Sequence, residues 1–215
     1  MRLGGAGCAK REETKLENYV KAVLYVYPRL ERLEKDCEEH IRNRAFMSYD
    51  YRTTTERLSE ELAEEIIRKG LIGELKRKTD AAIGALKKEE KFLLELRYFR
   101  RKSRLKQFCG ETDFKEIGSE RNYYRRQAKL LKKVSGALQA QGLTKETFFS
   151  EYARFDWLMS VYRFIEAGKE GRNAAKEHSL VEFLYGKSAG PTFRELWKKG
   201  KKRDGRLENQ TFQPL

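Results

Sequence analysis

A chain of 215 residues with 39% hydrophobic and 12% aromatic side chains can build one large or two small cores, and its 37% charged content does not reach the disordered range. Three cysteines without a CxxC spacing and only two histidines exclude a disulfide framework and a zinc cluster, and no stretch reaches the roughly 20 apolar residues of a bilayer span. The formal net charge of +14 favours a polyanionic partner, with solubility alone as the plainer reading.

That charge is unevenly spread. Residues 12–70 carry 11 basic and 14 acidic side chains, whereas residues 71–215 carry 33 and 19. A mildly acidic half before a basic half points to an assembly part followed by a polyanion-binding part. The glycine-rich start, Met1 to Arg11, lacks the apolar core of a signal peptide. With Cys8, Cys37 and Cys109 read as reduced thiols, the expected location is the cytoplasm, with no membrane partner. Leucine, glutamate, lysine and arginine dominate and only three prolines occur, so the expected fold class is all-α.

Leu16, Val23, Leu30 and Cys37 recur at sevens, with Val20, Tyr27 and Ile41 at the four-residue offset, which predicts a helix with one apolar seam to about Phe46. Pro28 predicts a kink or a restart within it. Met47 to Thr54 reads as a loop, and Thr55 as the cap of a second helix striped by Leu58, Leu62 and Ile66. Gly70 and Gly73 weaken that helix, while Ile72, Leu75, Ala82, Ile83 and Leu86 carry its period onward. Residues 12–86 are thus expected to form a helical hairpin for assembly or partner binding, and the same seam suits a homodimer equally well.

Phe92, Leu93, Leu96 and Phe99 mark a third helix over Lys87 to Arg101, followed by the basic run Arg100, Arg101, Lys102, Arg104 and Lys106. Cys109 to Gly118 reads as a turn. Ser119 then opens a strong helix to about Gln141, with Tyr123, Gln127, Leu130, Leu131, Val134 and Leu138 inward. Gly142 should end it, and Thr144 should cap a further helix reaching Ala167. In that helix Phe149, Tyr152 and Trp157 could stack on bases, although core packing is the commoner use of such residues. A short helix over Ala174 to Tyr185 and a mobile basic arm with Lys198 to Arg203 complete the chain. The resulting division is 12–86, 87–142, 143–186 and 187–215.

Nothing in the sequence assembles an active site. Gly4-Gly5-Ala6-Gly7 lacks the lysine and hydroxyl of a phosphate loop, His40 and His178 stand alone, and the carboxylates lie on helix exteriors. No catalytic residue, metal or cofactor is expected.

The informative stretch is Lys87 to Leu138, where a helix, a basic cluster, a turn and a Ser-opened helix follow one another. A helix-turn-helix presents the start of its second helix to base edges. Ser119, Glu120, Arg121, Asn122 and Arg125 would then read bases, arginine by its fork on guanine and asparagine on adenine. Arg100, Arg101, Arg104, Lys106, Arg126, Lys129 and Lys132 would meet phosphates. Ser119 to Lys133 holds six basic side chains and one acidic, and a solvated basic face remains the bland alternative.

Glu89 to Phe99, EEKFLLELRYF, resembles the first helix of the promoter-reading region four of bacterial sigma factors. Gly118 to Gln127, GSERNYYRRQ, is similar to its recognition helix, and closer to the version in sigma-like regulators of phage and prophage late transcription of the ArpU and RinA type. The interval from Tyr98 to Ser119 exceeds the family's usual one, so either Phe108 to Phe114 is an insertion or the scaffold helix is displaced, and nothing beyond Leu143 is similar. The resemblance implies a sequence-specific regulator of transcription on double-stranded DNA, with RNA polymerase as a further candidate partner. The alternative is a non-catalytic helical adaptor whose basic half binds RNA or an acidic protein.

Overall fold

The computed structural model describes residues 6–46, 54–111 and 119–168 together with Leu184, and every regular element among them is a helix. The expected all-α class therefore holds. The helix expected over 174–185 and the basic arm lie outside the described residues.

Helix α1 (Ala6–Phe46) and helix α2 (Thr55–Gly84) form the hairpin. α1 runs through Pro28 and does not restart there. Proline removes one backbone donor, but Leu24 and Leu30 on either side are fully buried, and their packing offsets the loss. α2 likewise continues through Gly70 and Gly73. Its cap is Thr54, one position before the expected Thr55, and the Thr54 hydroxyl accepts from the Arg57 N–H at 3.4 Å. Three consecutive threonines offer the same chemistry, so sequence alone does not choose among them.

Polar pairs fix the hairpin's direction. The Tyr27 hydroxyl donates to Asp80, Lys76 to Glu34 at 3.4 Å and Lys69 to Glu38 at 3.1 Å. His40 lies 3.4 Å from Glu65, and Arg44 pairs with Glu61. As the first number climbs the second falls, so α1 and α2 are antiparallel and in register over most of their length. These pairs are exposed or part-buried and each contributes on the order of 1 kcal/mol; together they set alignment more than stability.

The described chain divides into two compact units. The first contains α1, α2, the end of helix α5 (Glu120–Ala140) from Val134 onward, helix α6 (Lys145–Tyr152) and helix α7 (Asp156–Gly168). The division falls between Ala85 and Leu86 and again within α5, between Lys133 and Val134. The reason is burial: Val134 and Leu138 enter the first unit's core together with Leu143, Phe148 and Leu158. Residues 143–168 are thus part of the hairpin's core, with α6 and α7 packed on α1.

Gly142 ends α5 as expected, with φ +78°. The Leu143 N–H reaches back to the Leu138 carbonyl at 2.9 Å and the Gly142 N–H to that of Gln139 at 2.9 Å, while Leu138 and Leu143 are both fully buried. This is the Schellman arrangement, in which a left-handed residue closes the last turn and an apolar contact locks it. Thr144 then caps α6, accepting from the Thr147 N–H at 3.2 Å.

The single helix expected over 144–167 is two, broken by a turn at Ala153 and Arg154. No glycine or proline marks the break. It lets two helices send rings into one core: Phe148 lies 5.7 Å from Tyr19 and 6.0 Å from Tyr162, and Tyr152 stacks 6.2 Å from Phe155. Tyr152 is fully buried, and Phe149 meets Tyr162 edge-on at 5.1 Å. These aromatics pack the core, which removes Tyr152 as a stacking platform for bases.

Candidate nucleic-acid interface

The second unit contains helix α3 (Lys88–Leu94), a π-helical turn (Glu95–Phe99), helix α4 (Lys102–Glu111) and α5 as far as Lys133. α3 starts where the Glu90 carboxylate accepts from the Lys87 N–H at 2.9 Å. Phe92, Leu93, Leu94, Leu96, Tyr98 and Phe99 are all buried, more than one stripe of a regular α-helix accommodates. The wider π turn redirects the last of them inward. It closes with the Arg100 N–H on the Glu95 carbonyl at 2.7 Å, and Arg100 takes a left-handed backbone, φ 48°.

That turn divides the basic run. Arg100 is only 6% exposed. Arg101 folds back on the buried Glu95, its Nε 2.9 and 3.2 Å from the two carboxylate oxygens and its guanidinium 5.1 Å from the Phe99 ring centroid. The expectation that Arg100 and Arg101 face phosphate is therefore corrected: one is inside the unit and the other is neutralised by a carboxylate. α4 turns Leu105 inward and sets Phe108 at 5.6 Å from Phe92, which leaves Lys102, Arg104 and Lys106 exposed. Arg104 and Lys106 are thus on the surface, beside Lys102, which was not singled out from the sequence.

The α5 helix is held by its inner face. Tyr123, Gln127, Leu130 and Leu131 are buried, and Gln127 Nε2 donates to the Leu93 carbonyl at 2.7 Å. Burial pushes the Tyr123 phenol far above its usual pKa, so it stays neutral. Lys133 Nζ donates to both Glu90 oxygens, at 2.9 and 2.7 Å. Burial would raise the Glu90 pKa, but the Lys133 hydrogen bond and the Lys87 N–H outweigh it and hold the carboxyl below its ordinary value.

The outer face carries several of the expected residues, and the Glu120 side chain lies outside the described residues. Ser119 is exposed and its Oγ accepts from the Asn122 N–H at 3.3 Å, an N-cap contact ahead of Glu120, the first residue of α5. Arg121, Arg125, Lys129 and Lys132 are all exposed at steps of four, four and three, so they form one row along the helix. None of the four forms an ion pair among the described residues; Arg125 Nη2 instead donates to Asn122 Oδ1 at 3.4 Å. Arg126 and Asn122 are half-buried at the edge of the row.

Tyr124 was not singled out from the sequence. It is exposed beside the row, with the Arg97 guanidinium 5.9 Å from its ring centroid and Tyr123 edge-on at 5.2 Å. The signal was available: two adjacent tyrosines on a helix point about 100° apart, and Tyr124 falls outside the stripe that Tyr123, Gln127, Leu130 and Val134 share.

Chemically, such a surface offers guanidinium forks, ammonium groups and the amide ends of a capped helix to an anionic partner. Among the described residues no group of three His, Cys, Asp or Glu side chains is placed to hold a metal, and no helix is long and apolar enough to cross a membrane. No family model, curated protein or solved structure matches the chain.

Proposed function

We propose that the protein is a sequence-specific, non-catalytic binder of double-stranded DNA that regulates transcription, with the leading turns of α5 in a major groove. The observation that carries this reading is the row Arg121, Arg125, Lys129 and Lys132, exposed and without ion pairs among the described residues, on a helix whose inner face is fixed by Tyr123, Gln127, Leu130 and Leu131. A merely solvated helix face needs no such retention of uncompensated cations, since nearby carboxylates commonly pair with them. In this reading Ser119, Glu120, Arg121, Asn122 and Arg125 meet base edges, Arg126, Lys129 and Lys132 meet phosphates, and Arg104 and Lys106 add phosphate contacts from α4. The likeness of Gly118 to Gln127 to sigma-like phage and prophage regulators supports the same assignment, with RNA polymerase as the second partner such a regulator would contact.

Selection of sites from a random duplex pool by the full chain tests the reading. The expected result is a consensus, with the Arg121→Ala and Arg125→Ala variants each losing about 1–3 kcal/mol on it. Binding that shows no consensus and disappears as salt rises would instead describe an adaptor held by charge alone, to RNA or an acidic protein. Undiminished specific binding by the Arg121→Ala/Arg125→Ala double variant would end the α5 assignment.

A further inference from the structure

The hairpin leaves a second surface unexplained, on α2. Ile66 is 57% and Ile67 53% exposed, side by side on the outer face of the helix. Ser59, Ala63, Ile66 and Gly70 are all exposed and follow one another at steps of four, three and four, the spacing of a helix–helix seam. At Gly70 an added Cβ would meet nothing within 4 Å, so none of the described residues covers that point. A glycine inside a long helix is unfavourable by about 1 kcal/mol relative to alanine, a loss that close approach of another helix explains.

The charges flanking this seam identify what covers it. Before the isoleucines α2 carries Glu56, Glu60, Glu61, Glu64 and Glu65 against Arg57 alone. After them it carries Arg68, Lys69, Lys76, Arg77 and Lys78 against Glu74 and Asp80, the latter engaged by Tyr27. A helix so polarised is complementary to itself only when reversed. A second copy laid antiparallel about the isoleucine pair sets Ile66 opposite Ile67 of the other copy, Ala63 opposite Gly70 and Glu56 opposite Arg77, and a two-fold axis makes each contact twice. Small residues flank the bulky centre, which allows the helices to close on the isoleucines. Glu56 and Arg77 are exposed and form no ion pair among the described residues, whereas Glu61, Glu65, Arg68, Lys69, Lys76 and Lys78 are already engaged. A parallel copy would stack carboxylate on carboxylate.

We infer that the protein forms a two-fold antiparallel dimer through the outer face of α2, centred on Ile66 and Ile67. The inference does not depend on the DNA-binding reading. Sedimentation velocity on the full chain between about 1 and 100 µM tests it, a range in which an ordinary protein dimer populates both states. The expected result is a monomer–dimer equilibrium whose Kd rises about 100-fold or more in the Ile66→Lys/Ile67→Lys variant, because four central side chains are lost at once. Helix content by circular dichroism should be unchanged in that variant, since both residues are exposed. Glu56→Arg and Arg77→Glu should each weaken the dimer and together restore it. A chain that stays monomeric throughout, or a dimer indifferent to the isoleucine pair, overturns the inference; failure of the double charge reversal to restore association overturns the antiparallel register.

Discussion

Arg101 and Glu95 form a pair whose two members should respond unequally to removal. The Glu95 residue is 2% exposed, whereas the Arg101 side chain retains 30% of its surface. Replacing Arg101 by alanine strands a buried carboxylate, and loss of one partner from a buried pair destabilises by about 3–5 kcal/mol. Replacing Glu95 by alanine instead frees a guanidinium already partly in water, which can turn outward. What remains is the lost hydrogen bonding and a small cavity, about 1–2 kcal/mol. Removing both should be milder than removing Arg101 alone, because no charge is then left unpaired. Hydrogen exchange of the amides in α3 and α4 reads this directly, since opening of that segment should be most favoured in Arg101→Ala and less so in Glu95→Ala. Equal protection in the two variants, or a weaker effect of Arg101→Ala, would show that Glu95 is solvated and would refute the division of the basic run.

Gly142→Ala should destabilise the first unit by about 1 kcal/mol, because φ +78° is strained for a residue with a Cβ; chemical denaturation reads it as a lowered midpoint at constant slope. The Glu90–Lys133 pair predicts a pH dependence. Glu90 titrates below its ordinary 4.5 in the folded chain, so its contribution is present above that value and is lost as the pH falls through the folded pKa. Lys133→Met should flatten that part of the stability profile between about pH 5 and 3, and an unchanged slope would count against the pair. On the DNA reading, Lys129→Ala should weaken all duplexes alike and reduce the salt dependence of binding by about one counterion, measured by titration at several salt concentrations. A change confined to one sequence would make Lys129 a base reader.

Much of this architecture was legible because local chemistry and packing agree. The seam from Val20 to Leu30, the stop at Gly142 and the cap at Thr144 all rest on short-range rules that tertiary contacts reinforce. The inward face of α5 was legible for the same reason: Tyr123, Gln127, Leu130, Leu131, Val134 and Leu138 keep one period without conflict. The break at Ala153 was not, since no residue there opposes a helix and only the demand to bury Phe148, Tyr152, Phe155 and Tyr162 together creates it. The π turn was hidden likewise, as Glu95 reads as an ordinary exposed helix residue until Arg101 folds over it.

For the candidate interface, the decisive quantity is pairing, which composition does not contain. Arg101 and Arg121 are indistinguishable as counts toward a net charge of +14. In the folded chain the first satisfies Glu95, and Arg42, Arg57, Lys69 and Lys76 in the hairpin satisfy Glu38, Glu61 and Glu34 in the same way. Such cations add little field at a distance, because each carries its counter-charge with it. Among the described residues Arg121, Arg125, Lys129 and Lys132 carry none, so along α5 their fields add. An anion approaching the protein is drawn to where charges are uncompensated and aligned. That argument ties the functional assignment to one helix face, and it holds only while those four side chains remain without carboxylate partners.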